Sequence, residues 1–138
     1  MRTNNQGDYT MQDIQHRSIY AAIGGHDAIE KIVNNFYNRV GKHPLLIPIF
    51  PEDLTETARK QTLFLTQFFG GPRLYEEERG HPMMRRRHLP FPITPKRKDA
   101  WLDCMAEALE EAKIEEPYRS IMFEKLTLTA NHMMNTPE

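Results

Sequence analysis

The chain has 138 residues, 39% of them hydrophobic, which is enough for one domain with its own core. Lysine and arginine total 18 against 19 aspartates and glutamates, and the resulting net charge of -1 argues against a dedicated nucleic-acid binder. The single cysteine, Cys104, excludes an intramolecular disulfide and any thiolate cluster for zinc or iron–sulfur.

One thiol fits a reducing compartment, and no stretch has the apolar length of a membrane span. The expectation is a cytoplasmic protein with neither a membrane nor a nucleic acid as partner. Residues 1–17 are polar, without an apolar signal core, and read as a flexible extension preceding one domain over 18–138.

From Ser18 the pattern changes. Ile19 to Ile23 is a short apolar run ended by Gly24-Gly25, which predicts a very short helix turning sharply into a second one. In the second helix, from about Asp27 to Val40, Ile29, Ile32, Val33, Phe36, Tyr37 and Val40 recur at the spacing of one buried face. Tyr37 on that face is either core filler or a donor aimed into an internal cavity. His43 to Pro51 holds three prolines, predicting an apolar corner that turns Phe50 inward.

Asp53 and Glu56 have the spacing of a capping box for a helix over roughly Thr55 to Phe69, stopped by Gly70-Gly71-Pro72. Its inward stripe is Ala58, Gln61, Thr62, Leu65, Phe68 and Phe69. Gln61 is out of place there, one turn from Thr57. An unpartnered buried amide costs about 1–3 kcal/mol, so it either reaches solvent or bonds something held in the core.

Pro72 to Pro95 reads as a long irregular connection, a kind of loop that is often functional. A helical turn around Pro82 to His88 would place Met84 on the face of His88. The run Met84-Arg85-Arg86-Arg87-His88-Leu89-Pro90-Phe91-Pro92 sets an imidazole beside cations and an apolar corner. It fits a solvated basic turn. It also fits a porphyrin, which needs a ligand for iron, cations for two propionates and flat apolar contacts.

Thr94-Pro95 is a strong helix start, and Trp101, Cys104, Met105, Ala108 and Ala112 trace its buried face to about Lys113. Glu116-Pro117 opens the last helix, with Ile121, Met122, Leu126, Thr129, Ala130 and Met133 inward and fraying expected near Asn135. Strand signals are almost absent, so the fold class is all-α.

This order of elements resembles the truncated globins. Phe36-Tyr37, Pro48-Ile49-Phe50-Pro51, Arg87-His88 before Pro90-Phe91, and Trp101 are similar to marks of the second group of that family, and the likeness runs from about Tyr20 to Met133. The resemblance implies a two-over-two helical sandwich around haem b (iron protoporphyrin IX). It implies that His88 binds the iron, that Phe50, Met84 and Phe91 contact the ring, and that Lys60 and Arg87 meet the propionates. Tyr37, Thr57, Gln61 and Trp101 are then the polar residues on the distal side. His81 is the rival ligand, and the remaining histidines (His16, His26, His43 and His132) read as surface residues.

The function implied is reversible, high-affinity binding of dioxygen, with carbon monoxide, nitric oxide or peroxide as other small ligands. Donors from Trp101 and Tyr37 would hold the negative charge that dioxygen acquires, at about 1.5–3 kcal/mol each. The alternative is a haem enzyme with peroxidase-like or nitric oxide dioxygenase activity. It would need a separate reductase, because no glycine-rich dinucleotide motif is present. A near-neutral chain with a basic loop fits a monomer or a homodimer.

Overall fold

The protein, in a computed structural model, is described over residues 18–138; the extension expected over 1–17 lies outside the described residues. Seven α-helices and one 3-10 turn follow one another, with no strand among the described residues. They are α1 (Ile19–Ile23), α2 (His26–Val40), the turn Ile47–Ile49, α3 (Thr55–Phe68), α4 (Leu74–Arg79), α5 (Met84–His88), α6 (Pro95–Glu111) and α7 (Tyr118–Met133).

Two layers form. Helix α2 packs on α3, α6 packs on α7, and the contact of α2 with α6 joins the layers. The six α2 residues expected at the buried face are the six that are buried. Asn35 and Arg39 reinforce the crossing from the solvent side. The Asn35 amide donates to the Ala108 carbonyl at 3.3 Å, and Arg39 donates to Glu107 at 2.9 Å and Glu111 at 2.6 Å.

Helix α1 is docked by the glycine pair that ends α3. The Tyr20 amide donates to the Phe69 carbonyl at 2.9 Å, and a Cβ on Gly71 would stand 2.7 Å from the Tyr20 ring. Position 71 therefore needs glycine for close approach rather than for its dihedral angles.

Five expectations are corrected. The capping box does not form: Asp53 accepts from the Thr55 amide at 2.9 Å, while Glu56 is drawn away by Arg59 at 2.6 Å. The inward stripe of α3 is rotated toward Phe64 and Thr66, both buried, and Phe68 is only half-buried. The stretch from Pro72 to Pro95 is not irregular throughout, because α4 precedes the turn expected at α5. Helix α4 is anchored by Tyr75, 6% exposed, and by Gln67, whose side-chain Oε1 accepts from the Glu76 amide at 2.9 Å.

The chain after α7 does not fray at Asn135, which is bonded through both its backbone and its side chain. Within α7, Ile121 is 37% exposed rather than inward. The starts of the last two helices follow the sequence signals. Thr94 accepts from the Arg97 amide at 3.1 Å, and Glu116 accepts from the Ser120 amide at 3.0 Å.

Candidate functional site

A cavity of about 460 Å³ opens among the helices. It brings together all ten residues singled out above: Tyr37 from α2, Phe50 after the 3-10 turn, Thr57, Lys60 and Gln61 from α3, Met84, Arg87 and His88 from α5, then Phe91, and Trp101 from α6. Leu46, Ile49, Phe64, Leu126, Ala130 and Met133 give it apolar walls.

His88 is held from its own helix. Its Nδ1 lies 2.7 Å from the Met84 carbonyl. A carbonyl only accepts, so the proton is on Nδ1 and Nε2 keeps its lone pair for a metal. Met84 stands one turn before His88, which is why helical spacing supplies this partner. Among the described residues no group of three His, Cys, Asp or Glu could hold a metal ion. An ion taken by His88 must bring its other ligands with it, as a porphyrin does. His81 lies outside the cavity, and its Nδ1 accepts from the Met83 amide at 3.1 Å.

The polar residues of the cavity rest on an aromatic frame. Phe36, fully buried, packs edge-on against Tyr37 at 4.8 Å and against Trp101 at 5.0 Å, and Tyr37 meets Phe50 at 6.1 Å. Phe36 was visible as core but not as the wedge that sets two donors. Burial pushes the Tyr37 phenol well above its ordinary value, so it remains an O–H donor. Trp101 can only donate, while Thr57 and Gln61, both half-buried, can donate or accept. Gln61 on the apolar stripe thus lies at the cavity rather than in the core.

Five cations line the cavity, Lys60, Arg79, Arg87, Arg97 and Lys98, and no carboxylate does. The guanidinium groups of Arg79 and Arg87 each stand 5.8 Å from the Tyr75 ring, and the Nε of Arg79 is buried without a hydrogen-bond partner. Two like charges on one ring with a donor left over mark a place for an anion. Arg79 was missed because α4 was not expected. Arg97 and Lys98 belong to the basic cluster at Lys96 to Lys98, a signal present in the sequence and left without a role.

A single imidazole with a free Nε2, apolar walls and cations of which only Lys98 is paired with a carboxylate, Asp99 at 2.7 Å, fit a flat, dianionic, iron-bearing ring. Comparison with known proteins agrees. The model of the bacterial-like globin family matches residues 18–135. The chain is 58% identical over 119 residues to the group 2 truncated hemoglobin YjbI of Bacillus subtilis, covering 86% of this chain and 89% of the relative. The crystal structure of the group II truncated hemoglobin from Bacillus anthracis superposes with a TM-score of 0.86 at 59% identity, over 88% of this chain and 93% of that one. The truncated oxygen-avid haemoglobin from Bacillus subtilis superposes with a TM-score of 0.84 at 57% identity, over 86% of this chain and 100% of that one. The chain belongs to the bacterial-like globin family and, within it, to the group II truncated haemoglobins, whose cofactor is haem.

Proposed function

We propose that this chain binds dioxygen reversibly and with high affinity at a haem b held by His88. The observation that carries the reading is the 2.7 Å contact from His88 Nδ1 to the Met84 carbonyl, which leaves Nε2 as the ligating nitrogen. When bound, haem would supply an iron able to take up a small gas reversibly.

The chain's own residues do the rest. The Met84 carbonyl orients the imidazole and fixes its tautomer. Lys60, Arg79 and Arg87 offer charge-assisted hydrogen bonds to the two propionates. Phe50, Met84 and Phe91 supply apolar contact with the ring. Tyr37 and Trp101 donate into the ligand space, held in place by Phe36, and Thr57 and Gln61 orient the tyrosine or a water.

Donors favour a gas that gains negative charge, so dioxygen benefits more than carbon monoxide. Strong retention suits holding or sensing oxygen better than bulk delivery. No helix is long and apolar enough to cross a membrane among the described residues. The reading is tested by adding haem to the purified protein, reducing it, and cycling it between dioxygen and vacuum. The expected result is a one-to-one complex whose spectrum changes reversibly, and immediate irreversible oxidation would overturn the reading.

A further inference from the structure

Nine arginines fall among the described residues, and they divide cleanly. Arg39, Arg59, Arg73 and Arg119 each pair with a carboxylate. Arg79, Arg85, Arg86, Arg87 and Arg97 have no carboxylate partner among the described residues, and all five lie at or beside the cavity.

Backbone carbonyls fix three of them. Arg85 donates to His132 at 2.9 Å and Met134 at 3.0 Å, Arg87 donates to Pro82 at 2.7 Å, and Arg97 donates to Leu45 at 2.9 Å and Pro92 at 3.0 Å. A carbonyl directs a guanidinium without neutralising it, so the positive field survives. Arg79, Arg87 and Arg97 line the cavity and are claimed by the cofactor. Arg85 and Arg86, both exposed, are not among its lining residues, and Lys96 is exposed beyond them.

Exposed apolar residues accompany these arginines. Leu45, Ile47, Met83, Leu89 and Phe91 are 40–55% exposed, five of the seven exposed large hydrophobic residues described. They belong to two segments that Arg97 ties together through Leu45 and Pro92. Phe91 is 45% exposed and also lines the cavity, so the patch reaches the edge of the site. Exposed apolar side chains on the segments that carry arginines without carboxylate partners fit a docking surface better than ordinary solvated surface.

We infer that this face docks an acidic one-electron carrier protein, of the flavin or iron–sulfur class, which returns ferric haem to the ferrous state. The inference rests on the haem reading above. Dioxygen binds only ferrous haem, and the 138 residues carry no glycine-rich dinucleotide motif, so the electron enters from outside them. In the step the carrier loses one electron and iron gains it, with no bond made or broken. Charge complementarity sets the carrier's sign: a carboxylate-rich face meets Arg85 and Arg86, whereas the Lys96 amide already holds the Glu138 carboxylate. A nucleic acid fits poorly, because the centre of the patch is mainly aliphatic rather than a row of stacking aromatics.

The test uses haem-loaded ferric protein with an oxidised acidic [2Fe–2S] ferredoxin as the probe. Dissociation constants are measured by calorimetry at several salt concentrations, and stopped-flow reduction follows with the reduced probe. Arg86→Glu and Leu89→Ser, neither of which lines the cavity, should each weaken binding about tenfold or more and slow reduction alongside, with the Soret band and oxygen off-rate retained. Lys125→Glu on α7 should change neither. Equal binding by wild type and Arg86→Glu would overturn the inference, as would absence of ferredoxin binding or tighter binding to phosphatidylserine vesicles than to ferredoxin. Should Leu89→Ser fail to fold, Arg86→Glu decides alone. A wild-type protein that takes up no haem refutes the haem reading itself, and the retained Soret band separates the two failures.

Discussion

The side-chain amide of Asn135 donates to the carbonyl of His88 at 3.1 Å, from a position beyond the end of α7. The same amide donates to Phe91 at 3.0 Å, and its oxygen accepts from the Ile93 amide at 3.0 Å. The Asn135 amide in turn donates to the Ile93 carbonyl at 3.1 Å. One residue thus closes the loop that carries the imidazole, and Arg85 secures the same tail through His132 and Met134.

Asn135→Ala should free this loop at a cost of about 1–3 kcal/mol, since several polar groups lose their partners together. Amide hydrogen exchange at Ile93 should accelerate in the mutant, with and without haem. Asn135→Asp keeps the acceptor for Ile93 but sets a carboxylate against two carbonyls, and it should be no better than alanine. Unchanged exchange at Ile93 in both mutants would show that the loop holds itself.

Trp101→Phe removes a donor and keeps an aromatic ring against Phe36. The oxygen off-rate should rise about tenfold or more with haem still bound, because one charge-assisted hydrogen bond is worth roughly that factor. Tyr37→Phe should accelerate release less if the indole dominates. An unchanged rate in the tryptophan mutant removes Trp101 from the mechanism.

Tyr37 also makes an alkaline prediction. Burial holds its phenol protonated above the ordinary value of 10.0, whereas the unfolded chain loses that proton near the ordinary value. Above pH 10 the unfolded state therefore binds fewer protons than the folded one, and stability falls as pH rises; below it the group adds no slope. Urea denaturation followed from neutral pH to beyond 10 should show a steeper loss in wild type than in Tyr37→Phe. Parallel curves would contradict it.

Arg79→Met keeps the apolar stem beside Tyr75 and deletes the charge. Haem should leave the mutant about tenfold faster, measured by transfer to a haem-free acceptor globin, while the ferrous ligand spectrum stays as in wild type. No change in the rate would leave the propionates to Lys60 and Arg87.

Helix α2 was legible residue by residue because its apolar spacing runs undisturbed over fifteen residues. Helix α4 was not, because it buries Tyr75 alone and is held by Gln67 from α3, a tertiary bond with no local trace. Asn135 escaped for the same reason. Its long-range partners lie in the His88 loop, and a polar residue after a helix reads as tail. Chemistry alone left Tyr37 between filler and donor, and Gln61 between solvent and cavity. The family resemblance drew them into one group, and the cavity contains both.

The central claim is that His88 holds the haem through Nε2. The most direct measurement is the ferrous, gas-free absorption spectrum of His88→Ala, recorded with and without free imidazole. The account predicts that the five-coordinate spectrum of the wild type is lost and that imidazole restores it. A mutant spectrum identical to wild type without imidazole would contradict the account and move the ligand to another residue, His81 first.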